Sequence, residues 1–458
     1  MNSNQPIRQK ALLVSLQLPK VSDQEMHDSL DELARLVTTM GCDVVGRMSQ
    51  KRDSDRNMAV LGDGKLKEMA SWTGGSGVVG PGFVKKKHKA ALKFEKNQEL
   101  EEEEAVEDLD ETDPPAPARA QLVIFDCDLS PSQLRNLESA AGVSVLDRTG
   151  VIIEIFRRHA RTRAAKLQVE IARLKYTAPR LRETGGDEDH GAAGRAGESS
   201  LELDRRHIRD RIKELKEELE SISQDHDTRR ARREQEITVA LVGYTNAGKS
   251  SLMRALTASD VLVEDKLFAT LDTTIRMMQP ESKPKILISD TVGFIKKLPH
   301  DLVASFKSTL DEALNASLLL YVVDCSDASF RSQMEVTRDT LGEVGAGDTA
   351  AWLILNKVDR LLPDQRTALE QEFPQAIFLS AKNPQDVVDL RARLIAHFED
   401  DMVDEDIFIP YTTQGAVGEL RGKWRVLGES YNEGGVTFKV RARPEEITRL
   451  KERFGLKD

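Results

Sequence analysis

A short apolar run at residues 239–242 leads without a gap into Gly243, Tyr244, Thr245, Asn246, Ala247, Gly248, Lys249 and Ser250. The octapeptide fits GxxxxGK[ST], and residues 251–256 (SLMRAL) read as the helix that must follow. A strand, a glycine-rich turn and a helix in this order commit the chain to a βα unit of a mainly parallel sheet. The turn itself is an anion cradle. Its backbone N–H groups wrap phosphates, the Lys249 ammonium neutralises the β and γ oxygens, and the Ser250 hydroxyl can ligate Mg²⁺.

Strand-like runs recur at residues 286–289, 318–324, 352–356 and 376–379, separated by helical stretches. That spacing predicts a parallel sheet covered on both faces. Asp290, Thr291, Val292 and Gly293 close the first of these runs, where a Walker-B aspartate belongs. Asp290 can hold Mg²⁺ through a hydration water, and the Gly293 N–H can sense a γ-phosphate. Asn356, Lys357, Val358 and Asp359 close another run, and Ser380, Ala381 and Lys382 a further one. A carboxylate at Asp359 can accept both N1–H and N2–H of guanine, whereas adenine offers no donors in that arrangement, so GTP and GDP are the expected ligands. Weak turnover of ATP stays open. Residues 267–274 (LFATLDTT) are the candidate switch, with Thr270 as the expected Mg²⁺ ligand and Thr273 and Thr274 as alternatives. Lys249, Gly293 and Thr270 are the expected catalytic residues. Phe294 stands where Ras-like GTPases place a water-orienting glutamine; a phenyl ring cannot do this by hydrogen bonding, so unaided hydrolysis should be slow.

With 458 residues the chain is too long for one core. Residues 1–156 read as an α/β domain with strands that include 143–146 and 151–155. A basic stretch (85–96) and an acidic one (99–113) interrupt it as an insertion at about 71–119, expected to be solvated and disordered. Residues 157–233 form two helical patterns. Ile208, Ile212, Leu215, Leu219 and Ile222 repeat at coiled-coil spacing, and Leu167, Ile171 and Leu174 can face them, which predicts an antiparallel hairpin. Its first helix is one-sided in charge: Arg157, Arg158, Arg161, Arg163, Lys166, Arg173, Lys175, Arg180 and Arg182 are opposed only by Glu170. Such a face either tracks phosphates or pairs with acids elsewhere in the chain. The nucleotide domain is expected over 237–400, then an acidic linker at 400–406 and a small α+β domain at 405–458. The fold class is therefore multidomain α/β. The net charge of −11 hides the basic helix. No apolar run reaches the roughly 18 residues that span a bilayer, and the N-terminus has no secretory pattern, so a cytoplasmic location is expected.

Beyond the nucleotide motifs, the chain carries LSPSQLRNL at 129–137, Asp147-Arg148-Thr149, KLQVE at 166–170, Gly197-Glu198 with ELDRR at 202–206, and DTVGFI at 290–295 with LPHDLV at 298–303. With these motifs it resembles the HflX family of ribosome-associated GTPases over nearly its whole length. The resemblance implies that the N-terminal domain and hairpin bind the large ribosomal subunit, both rRNA and proteins, with the hairpin loop toward the peptidyl-transferase region. It also implies that the GTP form splits stalled or idle ribosomes and that the ribosome stimulates hydrolysis. A monomer is expected. Two other functions fit the same motifs: an assembly factor of the large subunit, and an RNA-binding module in which nucleotide only sets conformation.

Overall fold

The computed structural model describes residues 8–79, 119–181, 200–231, 236–258, 267–268, 274–298, 314–413 and 415–456. Two compact units divide the chain: one holds the residues up to Ile155 and a stretch beginning at Tyr176, the other Phe156–Lys175 and the chain from the second hairpin helix onward.

In the first unit, β1 (Lys10–Gln17), β2 (Asp43–Lys51), β3 (Leu122–Phe125) and β4 (Ser144–Asp147) form a parallel sheet in the order β2-β1-β3-β4. Three helices cross between them: α1 (Asp23–Thr39), α2 (Asp63–Thr73) and α3 (Pro131–Ala141). Capping boxes start two of these helices, Ser22 with Glu25 and Ser130 with Gln133, because each satisfies backbone donors that a helix start leaves open. Leu12, Val14, Val123, Phe125 and Val145 pack against Leu66, Met69, Leu137 and Ala140 as one core. Residues 71–79 belong to this folded unit: α2 runs to Thr73, and Val79 packs against the core. The charged stretch at 80–118 lies outside the described residues.

Residues 151–155, expected as a strand, lie instead in a helix, α4 (Arg148–His159). Four of the five are buried, and Glu154 is half-buried. A largely apolar run of that length suits a buried strand or a buried helix equally. Here Asp147 decides the matter locally, since its Oδ1 accepts the Gly150 N–H at 2.8 Å and turns the chain into a helix.

In the second unit, α5 (Arg163–Thr177) and α6 (Ser200–Ala231) meet through Leu167, Ile171 and Leu215, flanked by Leu174, Ile212, Leu219 and Ile222. The first of these helices is shorter than its charge pattern suggests. The turn at 184–197 lies outside the described residues.

A six-stranded sheet follows, built from β5 (Ile237–Gly243), β6 (Thr274–Met277), β7 (Ile286–Asp290), β8 (Leu318–Asp324), β9 (Ala351–Asn356) and β10 (Ile377–Leu379) in the order β10-β9-β8-β5-β7-β6. All pairings are parallel except that of β6, an antiparallel edge strand in which Thr274 lies opposite Asp290. One face packs on α7 (Lys249–Thr257) and α10 (Pro384–Glu399), the other on α8 (Phe330–Val344) and α9 (Pro363–Glu372). This is the two-sided cover that near-continuous apolar strands require.

The acidic stretch at 400–406 is not a linker throughout. From Val403 it forms β11 (Val403–Pro410), which pairs antiparallel with β13 (Gly435–Ala442); β12 (Arg425–Tyr431) pairs with the other edge of β13. The alternation explains this: Ile407 and Ile409 face the core, while Asp404 lies opposite Arg441 and binds its guanidinium at 2.6 Å. Helices α11 (Ala416–Lys423) and α12 (Pro444–Phe454) cover the inner face of this sheet.

Candidate active site

The carboxyl ends of β5, β7, β8, β9 and β10 all deliver functional residues, as expected of an open α/β sheet that binds ligand at its strand termini. The loop from Gly243 to Gly248 leaves β5 and enters α7 at Lys249. Its glycines are sterically required. A Cβ on Gly243 would lie 2.1 Å from the Val322 carbonyl oxygen, and one on Gly248, where φ is +96°, would lie 2.2 Å from Asn356 Nδ2.

Lys249 is buried, and its ammonium donates to the carbonyls of Gly243 (3.0 Å) and Tyr244 (2.8 Å). Burial pushes its pKa down to about 8, against the opposing pull of the Asp290 carboxylate. Ser250 Oγ donates to Asp290 Oδ2 at 2.7 Å, which brings a hydroxyl and a carboxylate oxygen to one point. Two hard oxygen donors are the chemistry that Mg²⁺ selects, so the donor set fits that ion.

The segment after Asp290 is sewn to the start of the loop. Phe294 N–H donates to the Gly243 carbonyl (3.1 Å), and Thr245 N–H to the Phe294 carbonyl (2.8 Å). Thr291 Oγ1 donates to the Leu241 carbonyl (2.7 Å), and Val292 is buried. Gly293 sits so close to the loop that a Cβ there would lie 2.8 Å from Thr245 Cα and 3.0 Å from Lys249 Nζ. Phe294 is itself buried, 3% exposed, so its ring is a packing element.

Asn356 is a strut between two loops: its Nδ2 donates to the Ala247 carbonyl (2.9 Å) and its Oδ1 accepts from Ala381 N–H (3.0 Å). Lys357, with φ at +68°, donates to the Asn246 carbonyl (2.8 Å) and binds Asp324 at 2.6 Å. Asp359 is exposed. A hydrogen bond from Ser380, reinforced by the charge of Lys382, holds its pKa below the usual carboxylate range. Ser380 is buried, and its Oγ accepts the Lys382 N–H at 3.3 Å.

Asp324 has no part in the sequence reading of the site. The signal was present: it is an aspartate that ends an apolar strand on the same sheet edge as Asp290. Thr270 and Thr273 lie outside the described residues, and Thr274 begins β6. Of the candidate switch, Leu267 and Phe268 are buried, and the Phe268 ring meets Phe156 edge-on with centroids 4.6 Å apart.

Several residues of the basic hairpin face pair within the chain. Arg163 binds Glu218 (2.7 Å), Arg173 binds Glu170 (3.3 Å), and Arg180 binds Asp147 (2.9 Å) while stacking on the Tyr176 ring. Arg157, Arg158, Arg161 and Lys166 are exposed. Arg182 lies outside the described residues.

A parallel sheet that carries a phosphate loop, a Ser–Asp oxygen pair and a guanine-type carboxylate loop defines a P-loop GTPase. A family model described as GTP-binding GTPase N-terminal matches residues 27–79 and 89–157, one described as GTP-binding GTPase Middle Region matches 159–233, and one described as 50S ribosome-binding GTPase matches 238–357. GTPase HflX of Gluconacetobacter diazotrophicus is 57% identical over 441 residues, 96% of this chain and 97% of that protein. GTPase HflX of Caldanaerobacter subterraneus is 35% identical over 97% of this chain and 93% of its own. A solved GTP-binding protein from Sulfolobus solfataricus in complex with GDP aligns over 84% of this chain and 99% of its own, at 22% identity and a TM-score of 0.42. The chain belongs to the HflX family of GTPases, and its reaction is GTP hydrolysis. Among the described residues no helix is long and apolar enough to cross a membrane.

Proposed function

We propose that this GTPase binds the large ribosomal subunit in its GTP form, dissociates stalled or idle ribosomes, and is released when the ribosome stimulates hydrolysis. The observation that carries the reading is the match of the nucleotide domain to a 50S ribosome-binding GTPase model, within a chain whose N-terminal and middle regions also match GTPase-specific models. The exposed Arg157, Arg158, Arg161 and Lys166 support a polyanionic partner. The buried Phe294 supports a slow intrinsic reaction that waits for that partner, because nothing at this position can hold the attacking water.

In this reading amides of the 243–250 loop other than that of Thr245, together with the Lys249 ammonium, hold the phosphates, Gly293 senses the terminal one, and Asp359, with Asn356, Lys357 and the loop of Ser380, Ala381 and Lys382, reads guanine. Ser250 and Asp290, the latter through water, would hold Mg²⁺ together with Thr270. The ion would supply charge neutralisation between the β and γ phosphates.

The test is sedimentation of intact ribosomes after incubation with the protein and a non-hydrolysable GTP analogue. Separated subunits are expected with the analogue and intact ribosomes with GDP. Ribosomes that stay intact with bound protein would overturn the splitting activity and favour a factor that only docks.

A further inference from the structure

Lys357 has a backbone conformation that a lysine rarely adopts. Its φ of +68° lies in the left-handed region, where the Cβ crowds the following carbonyl oxygen. Such a residue persists only where its surroundings over-determine it. The turn matters because the chain that leaves it, the single 3₁₀ turn Val358–Arg360, carries Asp359. The place of that carboxylate is therefore set by the residue two positions before it.

Two contacts at the ammonium end hold Lys357. Its Nζ donates to the Asn246 carbonyl at 2.8 Å and to Asp324 Oδ2 at 2.6 Å. The second is an ion pair whose side chains are each 14% exposed, so solvent screens it little. Asp324 is fixed in its turn. Its Oδ1 accepts from the Ser326 N–H (3.1 Å) and hydroxyl (2.6 Å), and it lies opposite Asn356 in the pairing of β8 with β9. The next residue, Cys325, donates its N–H to the Asn356 carbonyl at 3.1 Å. The carboxylate is a rigid post at the end of β8, and Lys357 is tied to it.

We propose that Asp324 is a positioning residue for base selection: by holding the Lys357 ammonium it keeps the left-handed turn that presents Asp359 to the base, a role that rests on Asp359 reading guanine. Asp324 acts through Lys357 and not on the nucleotide. Without the carboxylate, Lys357 keeps only its contact to the Asn246 carbonyl, the turn relaxes toward ordinary backbone, and Asp359 spreads over several positions. A carboxylate so spread loses most of what the 2-amino group of guanine adds, because a hydrogen bond depends steeply on distance and direction. A base without that amino group has less to lose.

The experiment measures, by isothermal titration calorimetry on the full-length protein, the affinities for GDP and for inosine diphosphate, which lacks only the 2-amino group. Wild type is compared with Asp324→Ala and with Asp324→Asn, which keeps the shape and the acceptor that Ser326 uses, and each is repeated in a Lys357→Ala background. A hydrogen bond to a charged acceptor predicts that wild type prefers GDP by about 10-fold or more. The preference should fall by about five-fold in Asp324→Ala and by a smaller factor in Asp324→Asn. Neither should change it by more than about two-fold once Lys357 is alanine, since the two residues act as one unit. Unfolded protein lowers the measured stoichiometry and leaves this ratio of affinities untouched. Equal weakening of both diphosphates would overturn the proposal and assign Asp324 to the integrity of the whole loop. A preference that stays at the wild-type value, or that falls just as far with Lys357 absent, would overturn it as well. Wild type with no preference for GDP would instead overturn the assignment of Asp359 to guanine, a separate result.

Discussion

Two buried cations, one in each unit, are held in opposite ways. Arg148 at the start of α4 is 1% exposed and lies between two carboxylates: it donates to Asp126 Oδ1 at 2.8 Å and to Glu32, while Ser29 donates to Asp126 from the other side. Lys249 at the start of α7 is 6% exposed, and its direct partners are two carbonyl dipoles. Asp290 opposes the effect of burial on its charge but does not cancel it. The arginine is neutralised by its own chain, and the lysine is not. A buried charge satisfied internally belongs to the fold; one left short of counter-charge belongs to a site that an anion completes.

The sharpest way to break this comparison is at Arg148. Arg148→Ala leaves two carboxylates buried together, and the loss of one partner of such a cluster costs about 3–5 kcal/mol. Denaturant unfolding should show that loss, with GTP affinity near normal in whatever remains folded at low denaturant. A variant of wild-type stability would remove Arg148 from the structural role assigned to it.

Lys249→Ala should behave in the reverse manner. By analogy with the removal of one preorganised charge-stabilising group, GTP hydrolysis should fall by about 10²–10³-fold. Stability without nucleotide should be unchanged or slightly higher, because an incompletely neutralised buried charge has gone. Phosphate release and thermal melting read the two effects, and a large melting loss with hydrolysis retained would sink the contrast.

The smallest effect sharpens the comparison without a mutation. In the folded protein Lys249 loses its proton near pH 8, well below the value of 10.5 for a free lysine. The unfolded chain therefore binds more protons between these values, so this group makes stability rise as pH climbs from about 8 toward 10.5 and contributes no slope below that window. A bound polyphosphate supplies the missing negative charge and raises the pKa again. At pH 8, nucleotide binding should take up roughly half a proton, and affinity should fall as pH rises beyond that point. Calorimetric titrations in two buffers of different ionisation enthalpy measure the uptake. Equal heats in both would show that Lys249 is already fully charged.

Much of the site was legible from the chain. Gly243, Gly248, Lys249 and Ser250 were readable because a phosphate loop is local: strand, turn and helix are contiguous, and the glycines are required by backbone approach distances that hold wherever the loop occurs. Asp290, Asp359 and Ser380 were readable because Asp290 ends an apolar strand, Ser380 directly follows one, and Asp359 stands three residues beyond another. The roles of Asn356 and Lys357 as struts were not, since their partners Ala247, Asn246 and Asp324 lie far away in sequence. Residues 151–155 misled for a related reason. Their apolar pattern reports burial, not backbone conformation, and the hydrogen bond from Gly150 to Asp147 that starts the helix has no hydrophobic signature. The aspartates at 404 and 406 misled in the opposite sense, because a strand with one solvated face can carry acids that resemble a linker until the opposing Arg441 is seen.

The sequence by itself determined that a glycine-rich strand–turn–helix unit must form, that polar loops closing further parallel strands would meet it, and that two helices, the first of them basic, would precede it. Each of these follows from short-range stereochemistry or from periodic burial. Only the tertiary structure decided which charges are satisfied at home and which are left for a ligand. Arg163 and Arg180 look alike in the sequence, yet Arg163 pairs with Glu218 on the other hairpin helix, and Arg180 with Asp147 while stacking on the Tyr176 ring. Likewise Lys249 and Lys357 are ordinary letters of their motifs until their burial and partners are known. The physical reason is that the energy of a charge or a hydroxyl depends on what lies within a few ångströms of it, and that neighbourhood is assembled from distant parts of the chain.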